Sequence, residues 1–143
     1  MSIEYPLKPK STSYLEQGQF WAVPLEQGGF GCGVVLAKLL RQGKTDTRLF
    51  FVGLLDWFGE APPTLSQIKG ANIIETGAAH IKSITETGSV IIGSGYNVVG
   101  IAREIEKSDF ISTWGYNVIT KLAERYVTVN KSSKRDDVTS SLS

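Results

Sequence analysis

The stretch Leu49-Phe50-Phe51-Val52-Gly53-Leu54-Leu55 is apolar at every position but its glycine. Successive side chains of a strand point to opposite faces, so a strand with one wet face alternates polar and apolar residues. A run without that alternation predicts a strand covered on both faces, and therefore the centre of the fold.

Upstream of it, Gly18-Gln19-Phe20-Trp21-Ala22-Val23-Pro24-Leu25 reads as a strand with Trp21, Val23 and Leu25 on one face and Phe20 and Ala22 on the other. Pro24 cannot donate to a ladder, so this strand lies at an edge or ends there. As an edge it would offer a place for two copies of the chain to pair, and the oligomeric state stays open. Glu26-Gln27-Gly28-Gly29 is a turn signal that joins it in a hairpin to Phe30–Leu40. The polar segment Arg41-Gln42-Gly43-Lys44-Thr45-Asp46 then turns the chain into the central run. Residues 1–13, with Pro6 and Pro9, read as an irregular lead-in.

Downstream, Pro62-Pro63 breaks the chain, and Thr64 is placed to cap a short helix through Leu65 and Ile68 that stops at Gly70. Two strands are expected near Ala79–Ile84 and Ser89–Ile92, joined by Thr85-Glu86-Thr87-Gly88. Near the C-terminus Ser112 or Thr113 offers an N-cap. Trp114, Val118, Leu122 and Tyr126 follow at four-residue spacing, and Ile119 and Ala123 widen that stripe to core-facing width. From Lys131 on, two apolar residues in thirteen predict a disordered tail. The expectation is one α+β domain over residues 1–130. Its architecture is a strongly curved antiparallel sheet or small β-barrel, with a short central helix and a C-terminal helix packed on it.

Length and composition restrict the chemistry. A chain of 143 residues is one domain's worth, and it buries roughly 68–70% of its unfolded surface without needing a disulfide or a metal. Fifteen Lys and Arg stand against fourteen Asp and Glu. The tail takes three of the bases and two of the acids, which leaves the domain neutral at twelve of each. A protein held mainly by nucleic-acid phosphates carries a basic excess instead, so nucleic acid is an unlikely partner. With one cysteine, Cys32, and one histidine, His80, no Cys/His zinc set can be assembled and no internal disulfide can form. A Cys32–His80 nucleophile pair is arithmetically open. Against it, Cys32 lies in a strand-like apolar run and His80 in the alternating Ala79–Ile84, where a structural hydrogen bond is the simpler role. No stretch approaches the roughly 20 apolar residues of a membrane span. The start Met1-Ser2-Ile3-Glu4-Tyr5-Pro6 has neither the basic end nor the apolar core of a signal peptide, so a cytoplasmic protein is expected.

Three groups of residues invite a functional reading. Gly93-Ser94-Gly95-Tyr96-Asn97-Val98-Val99-Gly100 follows a strand, but Val98 stands where the dinucleotide fingerprint has its third glycine. Gly100 is followed by Ile101-Ala102 and not by the Lys-Ser/Thr of a phosphate loop, so a flexible surface loop is expected and no cofactor. Lys38, Arg41, Lys44 and Arg48 are the densest interior bases. They cluster about a hairpin turn with Asp46 among them, where charge also discourages edge-to-edge pairing. Asp56 and Glu60 flank Trp57 and Phe58 just before the proline break. The two carboxylates are spaced for an acid/base pair, the loop is composed like a protein-binding anchor, and equally Asp56 could cap a turn while Trp57 fills the edge of the core. Of these, Asp56, Trp57 and Glu60 are taken as the candidate partner-binding surface; no catalytic or metal-binding residues are assigned.

The strand Gly18–Leu25, the glycine turn, and Gly31-Cys32-Gly33-Val34-Val35-Leu36 together resemble the opening of the bacterial immunity protein 26 family. That opening pairs a Gly-x-hydrophobic-x-Ala-hydrophobic-Pro-Leu strand with a Gly-x-Val strand. Phe51–Leu55 and Pro62-Pro63-Thr64-Leu65 are compatible with it, so the resemblance spans about residues 14–95. Trp21 departs from the aliphatic or small aromatic residue of that pattern. The resemblance implies a non-enzymatic immunity protein of a polymorphic toxin system, which binds a cognate toxin domain and occludes it. The alternative is a small-barrel nucleic-acid-binding or nuclease-like module.

Overall fold

A computed structural model describes residues 4–106, 113–115 and 118–126 of the chain. The apolar run lies in β3 (Lys44–Leu55), which pairs with β2 (Phe30–Arg41) on one side and β4 (Ile73–His80) on the other. Alternation sends Phe50, Val52 and Leu54 into one apolar cluster, while Leu55 and, partly, Phe51 join another. The strand is thus interior in both senses, flanked by strands and covered on both faces.

β1 (Phe20–Pro24) pairs antiparallel with β2, Phe20 opposite Val34 and Pro24 opposite Phe30. Trp21 and Val23 enter the cluster of Phe50, with Leu25 packed against it, and Phe20 enters the opposite one, as the period of two requires. Proline ends the strand. Over Phe20 and Trp21 it is no edge, because β5 (Ile91–Gly93) pairs on its other side. The β2–β3 turn is tighter than the polar segment suggested. Gln42 and Gly43, at φ 53° and 78°, have the positive-φ signature of a type I′ turn. Arg41, Lys44 and Thr45 are therefore ladder residues, and Asp46 lies within β3 and not in a loop.

The full order is β5-β1-β2-β3-β4-β7, with β6 (Glu104–Glu106) on β2 beyond the end of β1 and β7 (Thr113–Trp114) on β4. The sheet is not closed into a barrel. Nor is it wholly antiparallel: β6 and β7 run parallel to β2 and β4.

Expectation and structure part at three other places. Ala79–Ile84 is not one strand: β4 ends at His80, and Lys82–Thr85 forms the single helical turn α2. Ile81 and Ile84, three apart, are both buried on this turn, which is helical spacing that a short apolar run does not distinguish from alternation. The following strand begins at Ile91, two residues later than Ser89. Finally, residues 118–126 are helical (α3), with Ile119 and Ala123 buried at the centre of the face and Val118 and Leu122 at its margin. Trp114 joins the same cluster from β7, where Thr113 also lies, and not from the helix. Ser112 and the tail from Lys131 lie outside the described residues.

The first face of the sheet is closed by α3, Leu15 and Trp114. The second is closed by Ile68 of α1 (Leu65–Ile68) and by Tyr96. At the start of α1 the Thr64 N–H donates to Gln67 Oε1 at 3.1 Å, half of a capping box. Tyr96 alters the reading of the glycine-rich loop. It is buried, its hydroxyl donates to the Ala71 carbonyl at 2.6 Å, and its N–H donates to the Gly18 carbonyl at 3.2 Å. The loop is pinned into the second core at its centre, with Val99 left exposed.

Candidate functional site

Asp56, Trp57 and Glu60 lie in the segment that leaves β3 for α1. Its backbone is tied at both ends. Asp56 N–H donates to the Asn72 carbonyl at 2.7 Å, and Phe30 and Gly59 exchange two hydrogen bonds of 2.8 and 3.0 Å across to the start of β2. A bridge of this kind holds the four-residue interval between Asp56 and Glu60 against the sheet end.

The aromatic side chains divide between core and solvent. Trp57 is half-buried and packs against the second core, its ring over Gly59 so closely that a Cβ there would fall 2.6 Å from the indole. Phe58 lies over Gly29 of the first hairpin turn in the same way, yet leaves 37% of its surface exposed. Asp56 and Glu60 are exposed, and among the described residues neither carboxylate has a hydrogen-bonding or ionic partner within the chain. The structure therefore brings the three residues to one loop, with Trp57 more a support than a free anchor. Phe58, not singled out as a binding residue, is the more exposed of the two aromatic side chains in this loop. The signal for it was Gly29, which leaves room for a flat ring.

The other candidates separate. Cys32 is fully buried on the second face, and burial pushes its thiol above the ordinary thiol range, which removes the thiolate that a nucleophile needs. It lies near the Asp56 end of the sheet, whereas His80 pairs with Leu49 at the other end. At 3.3 Å per residue, roughly 20 Å of β3 lies between them. His80 Nδ1 accepts the Lys82 N–H at 3.1 Å and so starts the α2 turn. Burial, with Lys82 and Arg48 adding to it and Asp46 opposing, lowers its pKa below the ordinary 6.5. Among the described residues there is no group of three or more His, Cys, Asp or Glu that could hold a metal ion, and no helix long and apolar enough to cross a membrane.

The basic hairpin is interleaved with acids. Arg41 pairs with Asp46 at 3.4 Å, and the Gln42 and Gly43 N–H groups donate to the Glu106 carboxylate at 2.7 and 3.3 Å. Asp46 also accepts from the Arg48 and Leu49 N–H groups, each at 2.8 Å. No unbroken cationic stripe results. On the same side of β2 a cleft of about 340 Å³ opens among Leu15, Glu16, Gln17, Lys38, Arg103 and Glu104. Its residues come from three segments distant in sequence, and only Lys38 was singled out beforehand. Compared with models of known protein families, with curated proteins and with solved structures, the chain matches none.

Proposed function

We propose that the chain is a non-catalytic binding protein, an immunity protein that neutralises a bacterial toxin domain in the cytoplasm by occluding it. The observation that carries this reading is the Asp56–Glu60 loop, which is tied to the sheet at both ends yet offers two exposed carboxylates around an aromatic pair. A surface held in place before binding loses little conformational entropy on association, and aromatic groups inside a polar surround are the usual anchors of tight complexes. The Gly18–Leu36 hairpin motif supports the same reading. A strongly curved sheet, favoured by the register shifts at Phe20/Trp21, Val35/Ala37 and Leu54/Leu55, belongs to this proposal, since curvature would set the loop out as a convex end.

The test is co-expression with the toxin domain encoded beside this gene, followed by isolation of the pair. Growth should be rescued and a one-to-one complex recovered. Asp56→Asn combined with Phe58→Ala should weaken that complex while leaving the unfolding midpoint close to the parent. No rescue and no complex would overturn the proposal. Rescue that survives the double substitution would move the contact elsewhere on the surface.

A further inference from the structure

Beside β2, the first of two irregularities in its pairing with β3 decides which face Lys38 takes. Val35 pairs with Val52 and Ala37 with Phe51, so Leu36 is an extra residue on β2. Without it, Lys38 would share a face with Val34 and Leu36. With it, Lys38 pairs with Phe50 and turns to the Leu15 face, since directly paired residues share a face. Lys38 is also the ladder partner of Glu104 in the parallel pair with β6, which brings Glu104 to that face.

Between the end of β1 and the start of β6, the edge of β2 is filled by a side chain. Gln17 Nε2 donates to the Leu36 carbonyl at 2.9 Å and to the Ile101 carbonyl at 2.8 Å, closing the seam beneath the cleft. The Lys38 N–H donates to the Arg103 carbonyl at 2.9 Å, which sets the position of the second cation. The result is a recess lined by the buried Leu15, by half-buried Gln17 and Lys38, and by the exposed Glu16, Arg103 and Glu104, so that two cations and two carboxylates share one cleft. Among the described residues none of these four charged side chains pairs with another or makes a hydrogen bond of its own.

Opposite charges that line one recess without pairing to each other are complementary to a ligand carrying both signs. A simple anion would gain from Lys38 and Arg103 but be repelled by the two carboxylates, and a simple cation would meet the reverse. The volume is at the lower end of the roughly 300–1,000 Å³ of small-molecule sites, and the lining is mainly polar, as a small charged ligand requires. We infer that this cleft binds a small zwitterion of the free amino-acid class, its carboxylate toward Lys38 and Arg103 and its ammonium toward Glu16 and Glu104. The site is independent of the Asp56–Glu60 loop, which leaves the sheet at the opposite end.

The experiment is a nuclear magnetic resonance titration of the isotope-labelled full chain with L-leucine, N-acetyl-L-leucine, L-leucinamide and inorganic phosphate. Leucine should shift the amide signals of Gln17, Lys38, Arg103 and Glu104 saturably, and each capped form, having lost one charge, should bind at least about tenfold more weakly. Lys38→Met and Glu104→Gln should each weaken leucine by a similar factor, and Asp56→Asn should not change it. No saturable shift with millimolar leucine, equal binding of the capped forms, or tighter binding of phosphate would each overturn the inference. The comparison of ligands on the parent chain decides the matter even if a variant fails to fold.

Discussion

The two faces of the sheet are closed by different means. On the first, Trp21 and Phe50 meet edge to face with ring centroids 5.9 Å apart, and α3 lays Ile119 and Ala123 over them. On the second, a single helical turn contributes Ile68, and the rest of the cover is irregular chain held by the Tyr96 hydroxyl. A face closed by large side chains from regular elements depends on apolar burial. A face closed by loops also depends on hydrogen bonds that hold those loops down, because loop backbone must satisfy its polar groups locally. The candidate loop lies on the second side, where Trp57 joins the cover. The proposed binding loop and the less regular half of the core are thus neighbours.

This contrast can be broken most directly in the first core. Phe50→Ala should cost about 3–5 kcal/mol, seen as a lower urea midpoint at unchanged slope. Ile68→Ala should cost less, about 2–3 kcal/mol, since it removes a smaller side chain from a cover that can settle. A larger loss at Ile68 than at Phe50 would reverse the ranking of the faces. Next in size is Gly33→Ala. Its Cβ would fall 2.4 Å from the Trp21 ring, so about 1–3 kcal/mol of overpacking is expected. Gly70→Ala, with open space at its Cβ, should stay within about 0.5 kcal/mol and serves as the control.

Tyr96→Phe sharpens the account of the second face. It keeps the ring and removes the donor to Ala71, so about 0.5–1.5 kcal/mol should be lost. Burial, and after it Cys32, raises the phenol's pKa, which keeps the donor protonated through the neutral range. The smallest effect is a pH dependence. Folded His80 takes a proton less readily than the unfolded chain, first because burial disfavours its charged form and then because Lys82 and Arg48 stand beside it, with Asp46 opposing. Its contribution is therefore fully present above pH 6.5 and is lost as the pH falls from 6.5 through the lowered folded value. His80→Gln should flatten that part of the stability profile, and an unchanged profile would remove His80 as its source.

Several elements were legible because their determinants are local. Pro24 and the glycines after it stop one strand and start the next, and Thr64 to Gly70 carries its own start and stop signals. Leu49–Leu55 announces a two-sided strand by lacking alternation. Glu104–Glu106 and Thr113–Trp114 had no such signal, since two or three residues join a sheet only because a partner strand is there to receive them. Trp114 shows how this misleads: four-residue spacing to Val118 is satisfied by a helical stripe and equally by a strand residue that reaches the same core. In the candidate loop, Asp56, Trp57 and Glu60 were visible as a composition. Their division into exposed carboxylates and a half-buried indole was not, because it depends on Asn72, Phe30 and Gly29 arriving from other elements.

The sequence alone determined the order of the central hairpins, the two-faced core around β3, and the scarcity of reactive side chains, all consequences of residue type and near-neighbour pattern. The open sheet with its two parallel additions, the tether of Tyr96, and the turning of Lys38 toward Glu104 and Arg103 were decided only in three dimensions. Each depends on a non-local pairing or on the single extra residue at Leu36. Such choices follow from which distant segments bury surface and satisfy hydrogen bonds together, and no short window of sequence contains both partners.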